Sequence, residues 1–395
     1  MYPARVGEDR VTPGSQTSLR EANRARIVNA VQQRGSLTQV ELAGVTGLSP
    51  ATVSNIVSEL TASGVLHTSP TTRSGRRAQQ VTLARNTGLV AGMHFGARVL
   101  RVALSDTAHT IVAEQRLPLA SDHRADAGLE RAAILVEEMV ASVDASMHEL
   151  LSVGVGVPAP VDVRTGQVST RGLLRGWDGA PVPELLGRRL GVPVQVDNDA
   201  NLGALAEVRL GAARGHRDVV YVHAAHGVGG ALVLDGTVYR GRAGAAGEIG
   251  HVSVDEHGPV CRCGSRGCVE VFVGAPAVLE TLRASHGHLT LRDVVQLAVE
   301  GDLGCRRVVT DAGRQLGLAV ASVCNLLDPE IVVVGGELAD AGEVLLEPLR
   351  ATVVERTIQR TGGPAEVVAG ELGTSAELRG ALALALDQVA VGGLP

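Results

Sequence analysis

Residues Glu248 to Glu270 read Glu-Ile-Gly-His-Val-Ser-Val-Asp-Glu-His-Gly-Pro-Val-Cys-Arg-Cys-Gly-Ser-Arg-Gly-Cys-Val-Glu. One histidine, His251, precedes three cysteines, Cys261, Cys263 and Cys268. Thiolate sulfur and imidazole nitrogen suit zinc, and three Cys with one His make a closed tetrahedral set of the structural kind. Gly264 and Gly267 give the loop between Cys263 and Cys268 the freedom to turn both sulfurs toward one ion. Glu248 and Glu270 bracket the set and are not needed as ligands. The Cys-x-Cys spacing differs from the Cys-x2-Cys of common zinc fingers. For these residues alone, a group of core or redox cysteines is the alternative.

Glu-x-Gly-His followed by Cys-x-Cys-Gly-x-x-Gly-Cys-x-Glu resembles the signature of the ROK family, which comprises bacterial sugar-responsive repressors and sugar kinases. The likeness is long and gapped, and further motifs extend it over nearly the whole chain. It implies an α/β body of two lobes with the actin-like plan of sugar kinases and ribonuclease H, and a cleft between the lobes. It also implies that Asn198 and Asp199 bind sugar hydroxyls, the Asp serving as base in the kinases. Glu248, His251 and Glu270 match the family's other hydroxyl-binding groups. His251 then ligates Zn2+ through one ring nitrogen and meets a hydroxyl through the other, so the metal shapes the sugar site without doing chemistry. Taken alone, Asn198-Asp199 reads as a helix cap before Ala200.

The residues around these motifs alternate between strand and helix patterns. Leu89 to Gly96 and Val99 to Asp106 read as a hairpin, with a third strand over Ile111 to Leu119. Ala125 to Met147 reads as an amphipathic helix and Leu151 to Val157 as a buried strand. Strands follow at Val194 to Asp199 and Val219 to Ala224, then a strand pair around Ala231 to Val238 and a strand at Ile331 to Gly336, and helices alternate with these strands. That alternation is an α/β plan with mixed sheets.

A kinase of this fold needs a base for the sugar hydroxyl and turns rich in glycine and threonine to hold phosphate. The resemblance locates both turns, and both are altered. Where ROK kinases have Asp-x-Gly-Gly-Thr, this chain has His94-Phe95-Gly96-Ala97-Arg98. The second turn, Gly-Thr-Gly-x-Gly-Gly in the kinases, reads Ala225-His226-Gly227-Val228-Gly229-Gly230. The acid and both threonines are lost together, which argues against phosphoryl transfer. Gly335-Gly336, the adenine-side pair, is kept. Two further departures concern the sugar: Pro158-Ala159-Pro160 for the usual Pro-Gly-Pro, and Leu173 where kinases often carry Asn.

The first 85 residues have another character. They hold ten Arg against five Asp or Glu, a net +5, so the rest carries −11 of the total −6, and the chain contains no lysine. A basic head on an acidic body points to a polyanionic partner. Leu19 to Arg34 reads as a helix. Thr38 and Glu41 form a capping box for a second, short helix that Gly47 stops. Ser49 caps a third, with Pro50 at its first position and Val53, Ile56, Val57 and Leu60 as its buried stripe. Thr52, Ser54 and Asn55 lie off that stripe. This is the helix-turn-helix pattern. Strands at Val65 to His67 and Gln80 to Leu83 enclose Thr71 to Arg77, a wing with Arg73, Arg76 and Arg77 at its tip. Thr52, Ser54 and Asn55 are expected in the major groove, and the three arginines on phosphate or in the minor groove. The bland reading is a small helical module with solvated arginines.

With 45% hydrophobic and only 2% aromatic residues, the cores must be built from Val, Leu, Ala and Ile. Five cysteines without a secretory leader do not make a disulfide scaffold, and Cys305 and Cys324 read as small buried apolar groups. No apolar run is long enough to span a bilayer, so a cytoplasmic protein with no membrane partner is expected. The expected organisation is an arm over 1–16, a winged helix-turn-helix head over 17–85, a first lobe over 86–200 completed by a C-terminal helix over 375–395, and a second lobe over 201–374 with the zinc site. The expected function is a sugar-responsive DNA-binding regulator, a repressor of carbohydrate genes and not an enzyme. Its partners are operator DNA, a sugar or sugar-phosphate effector, and a second copy of itself in a homodimer or homotetramer. The rivals are an active ATP-dependent sugar kinase with an accessory head, and a scaffold for a protein partner.

Overall fold

The structure is a computed structural model, described here for residues 16–73, 76–84, 88–120, 123–162, 164–169, 176–358 and 363–392. The chain divides between residues 87 and 88 into two compact units.

The first unit is a winged helix-turn-helix. Helix α1 (Gln16–Arg34) is followed by strand β1 (Ser36–Thr38), helices α2 (Gln39–Thr46) and α3 (Pro50–Ala62), and the hairpin β2 (Leu66–Arg73) and β3 (Arg76–Leu83). The local chemistry behaves as read. Thr38 and Glu41 close a reciprocal capping box, and Gly47 ends α2 in the left-handed region. Ser49 accepts from the Thr52 amide at the start of α3, and Val53, Ile56, Val57 and Leu60 are buried. The wing differs from expectation. Its strands pair continuously to Arg73↔Arg76, so the arginines stand on strand ends and not in a loop. Thr71 and Thr72 are β-branched, and each residue added to an existing ladder satisfies backbone groups without a longer loop. The tip, residues 74–75, lies outside the described residues. β1 was not expected; it pairs with β3 over three residues, too few to show a period.

The second unit holds two five-stranded mixed sheets. The first contains β4 (Leu89–Phe95), β5 (Val99–Asp106), β6 (Ile111–Pro118), β7 (Leu150–Val157) and β8 (Val194–Asn198), with α4 (Ala125–Ser142) and α5 (Val182–Leu190) between the later strands. After α6 (Asp199–Leu210), the second sheet contains β9 (Val219–Ala224), β10 (Val228–Leu234) and β11 (Thr237–Tyr239). Helices α7 (Glu270–Val273), α8 (Ala275–His286), α9 (Leu291–Glu300) and α10 (Leu303–Leu327) then lead to β12 (Ile331–Gly335), α11 (Glu343–Arg356), β13 (Glu366–Ala369) and the last helix, α12 (Ala376–Gly392). The strand orders are β6-β5-β4-β7-β8 and β11-β10-β9-β12-β13, the same path drawn twice. In each, the first three strands are antiparallel and the last two join in parallel. Helix α4 stops five residues earlier than its pattern suggested, where Asp144 turns left-handed at φ 55.

The run Leu-Ser-Val-Gly-Val-Gly-Val in β7 sets how the lobes close. Val153, Val155 and Val157 face the core under α4 and α5. Ser152, Gly154 and Gly156 point the other way, toward α12 and α6, by the period-two alternation of a strand. A Cβ on Gly154 would lie 1.9 Å from the Ala381 carbonyl oxygen, and one on Gly156 would lie 2.8 Å from Leu202. Ser152 Oγ donates to the Ala385 carbonyl at 2.7 Å. The small residues therefore let α12 rest on the sheet of the first lobe. Helix α6 packs beside α12 and presents Ala200 and Ala204 to Tyr221 and Val219 of the second sheet.

Candidate functional site

The four candidate metal ligands come from two short pieces. His251 ends a single 3-10 turn, Ile249–His251, and the cysteines follow on a narrow hairpin bridged at Val260↔Arg266. Gly267 sits at φ +60, and a Cβ there would be 1.6 Å from the Asp255 carbonyl oxygen, so only glycine fits. His251 Nδ1 lies 3.6 Å from Cys261 Sγ, and Cys263 Sγ lies 3.7 Å from Cys268 Sγ. All four donor atoms lie within 4.8 Å of one another. A tetrahedral ion with sulfur at about 2.3 Å and nitrogen at about 2.0 Å has donor-to-donor edges of about 3.5–3.8 Å. The donor set therefore fits a metal ion in both chemistry and spacing.

The carboxylates gather next to this centre. Glu248 Oε2 stands 4.0 Å from His251 Nε2, the ring nitrogen that faces away from the sulfurs. Burial, then the nearby charges of Asp199 and Glu270, push the Glu248 carboxyl up to about 7. Three acids thus stand within charge range of one another. Asp199 opens α6, is buried, and places Oδ2 3.9 Å from His94 Nε2. Both ring nitrogens of His94 are buried without a hydrogen-bond partner. Buried polar atoms are rarely left so, and this pair marks where a ligand hydroxyl or a water is wanted.

Two expected contacts are already engaged. Asn198 caps α6: its Oδ1 accepts from the Ala200 and Asn201 amides, and its Nδ2 donates to the Ala159 carbonyl at 3.2 Å. The capping function read for the dipeptide alone is therefore present. Glu270 is gripped by Arg262, with Nε to Oε1 at 2.7 Å and Nη2 to Oε2 at 2.9 Å. Arg262 is the residue between the first two cysteines, so the metal loop and the carboxylate cluster are joined by one side chain.

The structure adds groups that sequence patterns did not mark. Asp197, buried at the end of β8, accepts from Asn201 Nδ2 at 2.8 Å and from Arg240 Nε at 2.8 Å. Arg240 follows β11, so this pair ties the first lobe to the second. His223 of β9 and Glu377 of α12 form a second link, Nδ1 to Oε1 at 2.8 Å, and Tyr221 donates to the same carboxylate. Burial alone would lower the His223 pKa, but Glu377 outweighs it and holds it at about 9. The same pairing overcomes burial at Glu377 and holds its carboxyl near 2. The partners are far apart in sequence, and no local spacing announces such pairs.

The two segments that the resemblance likens to the kinases' phosphate turns lie near the same acids. His94 is the second-last residue of β4, and Ala225–Gly227 join β9 to β10. The His226 pKa is lowered, first by the protein that covers part of the ring and then by the positive charges of Arg98 and Arg262. Gly335 has a packing reason to be glycine: a Cβ there would be 2.2 Å from Tyr221 Oη. Leu173 lies outside the described residues. In the head, Ser54 and Asn55 are exposed on α3, while the Thr52 hydroxyl is 2.8 Å from Ser49 Oγ at the cap. The backbones of Arg73, Arg76 and Arg77 lie on the two wing strands. No helix among the described residues is long and apolar enough to cross a membrane.

Comparison with known proteins gives three kinds of match. The ROK family profile matches residues 90–388, and a winged helix-turn-helix DNA-binding profile matches residues 20–66. The xylose repressor of Bacillus subtilis (strain 168) is 26% identical over 374 residues, which is 94% of this chain and 97% of that protein. The glucokinase of Thermotoga maritima is 34% identical over 252 residues, 60% of this chain and 80% of that enzyme. A crystal structure of a ROK family transcriptional regulator, a homologue of the Escherichia coli MLC protein, shares the fold. Its TM-score is 0.76 at 24% identity, covering 95% of this chain and 98% of that one.

Proposed function

The chain belongs to the ROK family, and from that premise we propose that it is a sugar-responsive DNA-binding transcriptional regulator, a repressor of carbohydrate uptake or catabolism genes that has lost phosphotransfer. One observation carries the reading. A winged helix-turn-helix shares a chain with a cleft that keeps Asp199, Glu248 and Glu270 but carries His94, Arg98 and His226 in its phosphate turns. Phosphoryl transfer depends on positioning and charge stabilisation at those turns. The acids left behind still match the pairwise donors and acceptors of a polyol. Asn198 and Asp199 hold hydroxyls on one side of the ligand, with Glu248, His251 Nε2 and Glu270 on the other. The ligand is hydroxyl-rich, either neutral or carrying a phosphate. Zn2+ sits in the His251, Cys261, Cys263 and Cys268 set and fixes His251 and the Arg262–Glu270 pair in place. It supplies shape and takes no part in a reaction.

In the head, Thr52, Ser54 and Asn55 read bases in the major groove, and Arg73, Arg76 and Arg77 bind phosphate or the minor groove. The protein works in the cytoplasm, as a homodimer or homotetramer. The glucokinase likeness supports a second reading, an active sugar kinase with an accessory head. Calorimetry with a panel of sugars and sugar phosphates, with and without ATP, separates the two. The regulator binds one sugar without help from ATP and makes no ADP. Sugar-dependent ADP release at steady rate would establish the kinase instead.

A further inference from the structure

Met93 and Phe95 of β4 are buried in the core of the first lobe. By the alternation of a strand, His94 between them points to the opposite face, toward α6. Across the sheet His94 pairs with Gly156 of β7, and its ring Cδ2 is 3.6 Å from the position that a Cβ on Gly156 would take. The side chain is 12% exposed. Both ring nitrogens are shut off from solvent, and neither has a hydrogen-bond partner. A histidine held this way calls for a polar group at the ring.

The distance to Asp199 says which group. His94 Nε2 and Asp199 Oδ2 are 3.9 Å apart. A direct N–H···O bond spans about 2.7–3.2 Å, so the two atoms do not satisfy each other. An oxygen about 2.8 Å from both would see them at an angle of about 90°. A hydroxyl suits that place, since its lone pair accepts from Nε2–H while its proton goes to the carboxylate. By the resemblance, ROK kinases carry Asp at the position of His94, and a carboxylate cannot donate to an oxygen. The exchange of Asp for His that spoils a phosphate turn thus supplies a donor for a hydroxyl beside Asp199.

We propose that His94 is a sugar-contact residue, and that His94 Nε2 and Asp199 Oδ2 hold one and the same hydroxyl of the effector. This rests on the reading of the cleft as a sugar site and narrows its ligand. The shared oxygen must carry a proton for Asp199. A phosphate ester at that oxygen has none, and it sets a second anion beside the carboxylate. The effector is therefore a sugar left free at this hydroxyl, the one that meets the base in the kinases by the resemblance. A sugar phosphorylated there is excluded, whatever it carries elsewhere.

Calorimetry on the full-length protein tests the contact. The probes are the monosaccharide that binds tightest in a panel including glucose and xylose, its monodeoxy analogues, each lacking one hydroxyl, and its phosphate esters. His94→Ala should lose about tenfold in affinity for the parent sugar. His94→Gln, whose amide still donates, should recover part of that loss. One deoxy analogue alone should bind the wild type, His94→Ala and Asp199→Asn with nearly equal affinity, because the hydroxyl that both side chains hold is gone. The phosphate ester at that same carbon should bind the wild type about tenfold more weakly than the parent sugar, or less. A loss on His94→Ala that is equal for every analogue would show that His94 only supports the fold, and would overturn the contact. So would different insensitive analogues for the His94 and Asp199 variants, or an ester that binds more tightly than its sugar. A wild type that binds nothing in the panel would overturn the sugar reading and the contact together. Sugar binding that is intact in His94→Ala overturns the contact alone.

Discussion

Asp199 and Glu248 come together from two different elements; burial first, and then the charges of Asp199 and Glu270, raise the Glu248 carboxyl. A hydroxyl-rich ligand that donates to both relieves that repulsion. Asp199→Asn and Glu248→Gln should each weaken sugar binding at least tenfold, about 1.4 kcal/mol, and leave operator binding without sugar unchanged. Calorimetry and a gel-shift titration check the two halves. A wild-type response to the physiological inducer from both variants would remove this cleft as the sensor. Cys263 allows a second prediction at this scale. Cys263→Ser should carry well under one metal per chain at the centre, melt at lower temperature and lose the sugar response, since metal-binding energy is folding energy. Metal analysis and a melting curve decide it. That these four side chains come together was legible in the sequence, because three cysteines and a histidine in eighteen residues leave few other uses. Arg262 was in the same stretch and went unmarked, since nothing in a spacing says that the residue between two ligands will hold Glu270. Asn198, a sugar ligand by the resemblance, also caps α6.

Among elements, the wing shows where pattern reading stops. The arginines were found because charge survives any change of register. The strands were drawn too short because Thr-Ser-Pro-Thr-Thr-Arg does not alternate in hydrophobicity. Pairing with β3 supplies the order that the segment lacks alone. Arg76→Ala should weaken binding to every DNA sequence alike and flatten the salt dependence by about one unit of slope. Asn55→Ala, on the exposed face of α3, should change base preference instead. An Arg76→Ala protein with unaltered affinity and slope would show that the wing does not touch phosphate. By contrast, the start of α2, its stop at Gly47 and the start of α3 were legible to the residue. Their caps are chemical events between Thr38 and Glu41 and between Ser49 and Thr52, and such events leave a local signature.

Across the whole molecule, the lobes are linked by charge. Asp197–Arg240 and His223–Glu377 cross between elements that no sequence window contains. The second pair makes stability depend on pH in a defined direction. The His223 pKa is raised from 6.5 to about 9, so its contribution is complete below 6.5 and is lost as pH rises through 9. The Glu377 pKa is lowered from 4.5 to about 2, so its contribution is complete above 4.5 and is lost as pH falls through 2. Both are in full force between 4.5 and 6.5. The melting temperature of the wild type should therefore fall between pH 7 and 9.5. Glu377→Gln, less stable at pH 6 by about 3 kcal/mol, should lose most of that decline. Parallel curves for the two proteins would show that the pair contributes nothing.

Assembly belongs to the same scale. A winged head alone reads a short site, so the protein should sediment as a dimer or larger at micromolar concentration, on half-sites about one helical turn or a multiple apart. If sugar changes operator affinity, operator must change sugar affinity by the same factor, with a coupling of about 1–3 kcal/mol. A monomer with intact operator binding would defeat this part.

The seat of α12 on β7 also has a consequence for synthesis. Ser152 and the carbonyl it meets, Ala385, are 233 residues apart. A ribosome adding about 5–20 residues per second makes the second only tens of seconds after the first. Throughout that interval Gly154 and Ser152 of β7 lack the cover that α12 gives them, and a nascent first lobe waits partly open while the second is being made. The head, complete long before, has no such dependence. A chain stalled short of Ala376 should expose a folded, protease-resistant head followed by a first lobe that proteases cut and chaperones hold.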